Sequence, residues 1–188
     1  MPADTPAFEA LPGRRQHAGP YRICLVCLGN ICRSPMAEAV LRAELDRAGL
    51  SDAVSVESAG TGDWHVGEHM YGPARSELAR RGYDGSGHRA RQIEPSWLAD
   101  YDLLLAMDAR NLADLRQMAG GSAAAGRIRL LRSFDPALAA DDPFGGQVPD
   151  PYGGTTGQYA RAFDLIEAAA KGLTQRLAEF CGSQPAGR

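Results

Sequence analysis

The chain has 188 residues, a formal net charge of −3 and 44% hydrophobic residues. That size fits one domain with one sizeable core, and the mild acidity argues against a general nucleic-acid binder, which carries a basic surplus. No apolar run approaches the ~18 residues of a membrane helix, so no membrane partner is expected. The opening stretch to Pro20 has no apolar core, so it does not read as a secretory signal. It is rich in Ala, Pro and Gly and reads as a disordered tail over 1–20. The domain is placed at 21–182, with a flexible end at 183–188.

From Tyr21 the pattern alternates. Tyr21 to Val26 is a short apolar run that fits a buried strand. Gly29 and Asn30 break it. A helix then runs from Ser34 and Pro35 to about Ala48, with Ser34 expected as N-cap, Pro35 in the first turn and Gly49 as the stop. Val54 to Val56 is a second strand, ending at Gly60. Pro73 to Arg81 is a helix closed by Gly82. Tyr101 to Ala106 is another buried strand, followed by a helix from Asp108 to Met118 with Asp108 as cap. Ile128 to Leu131 is a fourth strand, and Gln158 to Phe180 a long closing helix. Strands alternating with helices give an α/β fold with a parallel sheet covered on both faces. The stretch from Phe134 to Gly157 reads as a long functional loop. It holds two near copies of one unit, Asp142-Pro-Phe-Gly-Gly146 and Asp150-Pro-Tyr-Gly-Gly154.

Three of the four cysteines, Cys24, Cys27 and Cys32, fall within nine residues, and Cys181 stands apart. A disulfide framework would spread them, so a reduced, cytoplasmic protein with local cysteine chemistry is expected. Cys27-Leu-Gly-Asn-Ile-Cys-Arg33-Ser34 lies between the first strand and first helix, where an open α/β sheet binds ligands. A loop entering a helix presents free N–H groups and the positive helix end to a tetrahedral anion. Gly29 and Asn30 can take the left-handed conformations that turn successive amides inward. Those amides, the dipole and Arg33 all favour a thiolate at Cys27. Arg33 can grip two phosphate oxygens with its planar fork. A thiolate at the base of an anion site is set up to attack phosphorus, and Ser34 can hydrogen-bond the sulfur when it leaves again.

Cys24 and Cys27 also form a C-x-x-C pair. Residues three apart on a strand face opposite sides, however, so Cys24 reads as a buried apolar filler. There is no second cysteine pair, and His65 and His69 are the only close histidines. The ligand count falls short of a metal site, and no metal or other cofactor is expected. Expulsion of an alcohol or phenolate needs a carboxylic acid. The residues alone leave Asp142 and Asp150 both open for that role, while Asp135, also before a proline, reads as a turn residue.

The segment from Cys27 to Pro35 resembles the signature loop of the low-molecular-weight protein tyrosine phosphatases. Further matches run from about Tyr21 to Phe180. They include Glu57 to Thr61, Trp64, His88 to Gln92, Met107-Asp108, Asn111-Leu112, Ser133 to Pro136 and Val148 to Tyr152. The resemblance implies a three-layer fold with a four-stranded parallel sheet, helices on both faces, and a phosphate-binding loop after the first strand. It also implies Cys27 as nucleophile, Arg33 as phosphate ligand and Asp150, rather than Asp142, as general acid and base. Leu28, Gly29, Asn30, Ile31, Cys32 and Ser34 would line the phosphate. Asn30, Ser58 and His88 match positions that hold the loop rigid. Trp64 and Tyr152 are expected to wall the cleft for an aromatic group, with partial core burial as the bland alternative for Trp64. Gly153 stands where many relatives carry a second aromatic.

The activity so implied is hydrolysis of phosphotyrosine in proteins or peptides, with inorganic phosphate or other oxyanions able to occupy the loop. A protein-arginine phosphatase of the same family is the nearest alternative, but such enzymes tend to carry Thr where Ile31 stands. A thioredoxin-linked arsenate reductase would need further cysteines after the loop, and none lies between Cys32 and Cys181. A non-catalytic phosphate-binding module would not need Cys27, Arg33 and an acid together. Cys32 beside an oxidisable Cys27 also suggests a protective disulfide.

Overall fold

The computed structural model describes residues 10–15 and 19–183. Four strands, β1 (Tyr21–Cys27), β2 (Val54–Gly60), β3 (Leu103–Ala106) and β4 (Ile128–Leu130), form one sheet in the order β2-β1-β3-β4. All pairings are parallel. The helices are α1 (Arg33–Arg47), α2 (Gly72–Arg80), α3 (Ala109–Ala119) and α4 (Thr156–Gly182). No helix among the described residues is long and apolar enough to cross a membrane.

Strand alternation divides the core. Ile23, Leu25 and Cys27 face the cluster built on α1, α2 and α4, where Met36, Val40, Phe163, Ile166 and Leu173 are buried. Cys24 and Val26 face the other cluster, with Leu104, Leu115 and Ile128. Cys24 is therefore turned away from Cys27, as its spacing predicts, and burial pushes its thiol up to about 12.

Every strand and long helix is found near its expected place, and the differences have physical causes. The cap of α4 is Thr155, whose side chain and that of Gln158 satisfy each other's backbone in a capping box. Asp108 caps α3, accepting from the Asn111 N–H at 2.8 Å. Three short 3₁₀ segments, Pro95–Ala99, Ala125–Arg127 and Leu131–Phe134, carry too few residues for a legible period. Ser34 is not the cap of α1: the helix starts at Arg33, Cys32 occupies the cap position, and no side chain closes it. The serine hydroxyl is used elsewhere, and the helix N-terminus keeps its N–H groups open.

The tail expected at 1–20 falls partly outside the described residues, at 1–9 and 16–18. Residues 10–15 dock on the domain. Leu11 packs against the core, the Arg15 N–H donates to Asp102 Oδ1 at 2.6 Å, and Tyr21 Oη donates to the Pro12 carbonyl at 3.0 Å.

Candidate active site

The strand order reverses direction between β1 and β3, so the loops leaving these two strands diverge and open a crevice at their C-terminal ends. The loop after β1 carries Cys27 to Arg33, and the loop after β3 carries Met107 and Asp108. Val148 N–H donates to the Met107 carbonyl at 2.8 Å, which brings the long loop, and with it Asp150, to the same crevice. A cavity of about 130 Å3 results, lined by Cys27, the loop residues Leu28, Gly29, Ile31 and Cys32, Arg33, Asp150, Trp64, His65 and Tyr152.

Asn30 is the one non-glycine residue with a positive φ among the described residues, 54°, as the loop's expected conformation requires. Its N–H points at Cys27 Sγ at 3.3 Å. Among the described residues, the N–H groups of Gly29, Ile31 and Cys32 have no protein acceptor. They stand free for an anion, together with the open end of α1.

A chain of polar groups fixes this loop from behind. Glu38 accepts from the Ser58 hydroxyl, so the Ser58 oxygen is left to accept from Asn30 Nδ2 at 2.9 Å. Asn30 Oδ1 accepts from the Arg91 N–H at 2.9 Å, which fixes the amide orientation. The second Nδ2 hydrogen goes to Ser34 Oγ at 2.8 Å. The Ser34 proton is thereby turned toward Cys27 Sγ, 3.0 Å away, with the Ala59 carbonyl as a longer alternative at 3.3 Å. His88 Nε2 lies 2.7 Å from the Asn30 carbonyl and closes the bracket. Gly60, at the end of β2, passes directly behind: a Cβ there would sit 2.6 Å from the Leu28 carbonyl oxygen.

Arg33 is 2% exposed, and its guanidinium is held on two sides. Nη1 donates to Asp108 at 2.6 Å and to the Val148 carbonyl at 3.1 Å, while Nη2 donates to Asp150 at 3.1 Å. Burial alone would lower its pKa, but Cys27, Asp150 and Asp108 outweigh that and raise it. Arg33 Nε is buried without a partner, an expensive arrangement unless the site supplies an acceptor. Cys32 is buried beside it. Desolvation, then the charges of Cys27 and Asp150, push its thiol up to about 12.

The two Asp-Pro units part ways here. Asp142 takes both Arg132 nitrogens, at 2.8 and 2.9 Å, and accepts from the Phe144 and Gly146 N–H groups. The Arg132 hydrogen bonds, followed by the Gly146 amide, lower its carboxyl to about 2. Asp142 does not line the cavity; Asp150 does. Asp135 is a buried turn residue paired with Arg132.

Trp64 and Tyr152 are 66% and 56% exposed, so Trp64 is no core residue. Tyr152 is braced by Tyr71, ring centroids 4.9 Å apart, and by His65 at 6.4 Å. Sequence reasoning missed Asp108 as an anchor of Arg33, because its cap signal already explained it. It also missed His65, Tyr71, Glu38 and Gly60. Only Gly60 carried a signal, an unexplained glycine at a strand end.

The family model described as low molecular weight phosphotyrosine protein phosphatase matches residues 22–181. The chain belongs to that family. A low molecular weight protein-tyrosine-phosphatase of Streptomyces coelicolor is 47% identical over 159 residues, covering 85% of this chain and 94% of that one. Among solved structures, the protein tyrosine phosphatase of Entamoeba histolytica, with Hepes in its active site, superposes with TM-score 0.78 at 30% identity, covering 85% and 98% of the two chains. The YwlE arginine phosphatase, carrying a phosphorylated active-site serine, superposes with TM-score 0.71 at 27% identity, covering 83% and 95%. The phosphatase is thus a hydrolase.

Proposed function

We propose that this phosphatase hydrolyses phosphotyrosine in proteins or peptides through a phospho-cysteine at Cys27. The observation that carries the reading is the single cavity that joins Cys27, Arg33 and Asp150 to two exposed aromatic walls. Phosphate enters over Cys27 Sγ. Its oxygens take the free loop N–H groups and the Arg33 fork, which stabilise the charge on the equatorial oxygens in the transition state. Sγ attacks phosphorus, the bond from phosphorus to the tyrosyl oxygen breaks, and Asp150 in its acid form delivers a proton to that oxygen. Water then attacks the phospho-cysteine and gives its proton to Asp150. The P–S bond breaks, and the thiolate departs into hydrogen bonds from Ser34 and the Asn30 N–H. Glu38, Ser58, His88 and the Asn30 side chain act as positioning groups, since they reach the sulfur only through others. Cys32, a neutral thiol beside the nucleophile, fits the protective role expected for it.

Ile31 is buried in the cavity wall. Together with Trp64 and Tyr152 it shapes a slot for a flat ring rather than for a guanidinium, which favours phosphotyrosine over phosphoarginine. The test is a matched pair of peptides, one bearing phosphotyrosine and one phosphoarginine, assayed with the unaltered protein and Cys27→Ser. The phosphotyrosine peptide should be strongly preferred, and Cys27→Ser should abolish turnover of it. Preference for phosphoarginine, or full turnover by Cys27→Ser, would overturn the reading.

A further inference from the structure

Two hollows flank the catalytic cavity. One, of about 480 Å3, shares Leu28 and Trp64 with it. The other, of about 610 Å3, shares Asp150 and is walled by Phe144 and Val148. Arg110 is the one residue that lines both hollows.

Three features of Arg110 have no structural explanation. It is exposed in the first turn of α3, where the positive end of the helix dipole disfavours a cation. Asp114 lies one turn along the same helix, yet Arg110 makes no ion pair or hydrogen bond among the described residues. The acidic groups that share its second hollow, Asp108 and Asp150, are both engaged by Arg33. An unspent guanidinium thus lines the same hollow as Asp150.

Pro143, Phe144 and Gly145 of the Asp142 unit, which the chemistry does not use, also line that hollow. Arg132 holds Asp142, and Asp142 holds the Phe144 and Gly146 amides at 3.1 and 2.9 Å. The half-buried Phe144 ring is therefore presented from a fixed turn rather than a mobile loop.

Resting on the phosphotyrosine reading above, we propose that Arg110 recognises an acidic side chain next to the phosphotyrosine, received in the hollow between Asp150 and Phe144. The two hollows adjoin the cavity at Trp64 and at Asp150, so a peptide whose phosphotyrosine fills the cavity can run along either, and Arg110 lines both. An extended chain advances ~3.3–3.6 Å per residue, so the side chain read is one or two positions from the phosphotyrosine. A guanidinium meets a carboxylate with two parallel hydrogen bonds, and Phe144 supplies an apolar side against which the acidic residue's methylenes lie.

The experiment uses phosphotyrosine peptides in pairs, with Glu or Gln at one of the two positions on either side of the phosphotyrosine. The readout is the ratio of kcat/KM within each pair, so any loss common to both peptides cancels. At one position the unaltered protein should prefer Glu by about threefold to fivefold, the magnitude of an exposed ion pair. The preference should vanish in Arg110→Ala and invert in Arg110→Glu, which should favour the Gln peptide. A flat ratio at every position, or a Glu preference that survives Arg110→Ala, overturns the proposal while leaving the phosphotyrosine reading intact. Failure to cleave any phosphotyrosine peptide overturns both.

Discussion

Asp142 and Asp150 head near copies of one unit eight residues apart, and their partners give them different chemistry. Asp142 is saturated by Arg132 and two amides, and its carboxyl is lowered to about 2 from an ordinary 3.8. It stays ionised wherever an enzyme works and cannot deliver a proton. Asp150 meets Arg33 and the Tyr152 N–H at the cavity mouth, with 42% of its side chain exposed. Replacing Asp150 with Asn should lower kcat for phosphotyrosine peptides by roughly a hundredfold or more, with little change in unfolding midpoint. Asp142→Asn should do the reverse, keeping kcat and lowering stability. Because the folded carboxyl titrates below the unfolded one, its stabilising effect is complete above the unfolded value and is lost as pH falls toward about 2. Urea midpoints should therefore separate the unaltered protein from Asp142→Asn at pH 6 and converge near that lower limit. A constant gap would show that Asp142 stabilises by packing and not by charge.

At the scale of elements, the sheet and its four helices were legible because their apolar runs and glycine stops are strong local signals. The loop from Cys27 to Ser34 was legible as an anion site for the same reason, being a strand, a glycine-bearing turn and a helix start in succession. What the sequence hid depends on pairs distant in the chain. Ser34 carries the ordinary mark of a cap, yet its hydroxyl serves Cys27, a choice made by Asn30 and Ser58 across 28 residues. Asp108 does cap its helix, and its second oxygen anchors Arg33, which no local pattern announces. Two glycines mark where elements touch through backbone alone. Gly60 lies against the Leu28 carbonyl behind the phosphate loop, and Gly172 of α4 lies against the Phe134 carbonyl. Gly60→Ala should push the loop off its geometry and reduce kcat/KM by roughly tenfold to a hundredfold, with the far-ultraviolet circular dichroism unchanged. Gly172→Ala should instead lower stability by about 1–3 kcal/mol through overpacking, with kcat retained. Equal effects of both on kcat would mean that the helix contact, too, positions the site.

At the scale of the molecule, the two ends of the sheet do different work. The C-terminal ends of β1 and β3 hold the phosphate loop, Asp108 and, through Val148, the loop of Asp150. The N-terminal ends are covered by residues 10–15, a segment whose sequence gave no sign of order. The reason is that most of its contacts are made by groups every residue owns. The Arg15 N–H reaches Asp102 at 2.6 Å, and the Gly13 and Pro12 carbonyls accept from Arg127 and Tyr21 at 2.7 and 3.0 Å. Each receiving residue stands at the start of a strand: Tyr21 opens β1, Asp102 precedes β3 and Arg127 precedes β4. Asp102 is fully buried and accepts from both the Arg15 and the Arg22 N–H groups, so removing residues 1–15 takes away one hydrogen bond to a buried carboxylate, at a cost of about 1–3 kcal/mol. A chain beginning at residue 16 should therefore unfold at a lower temperature. Its kcat and KM should match those of the full chain, because the strap and the phosphate loop sit at opposite ends of β1. Calorimetry beside phosphotyrosine-peptide kinetics on the same preparations checks both halves. A truncated chain with full stability would show the strap to be passive, and one with altered KM would show that the strap is felt through the sheet at the phosphate loop.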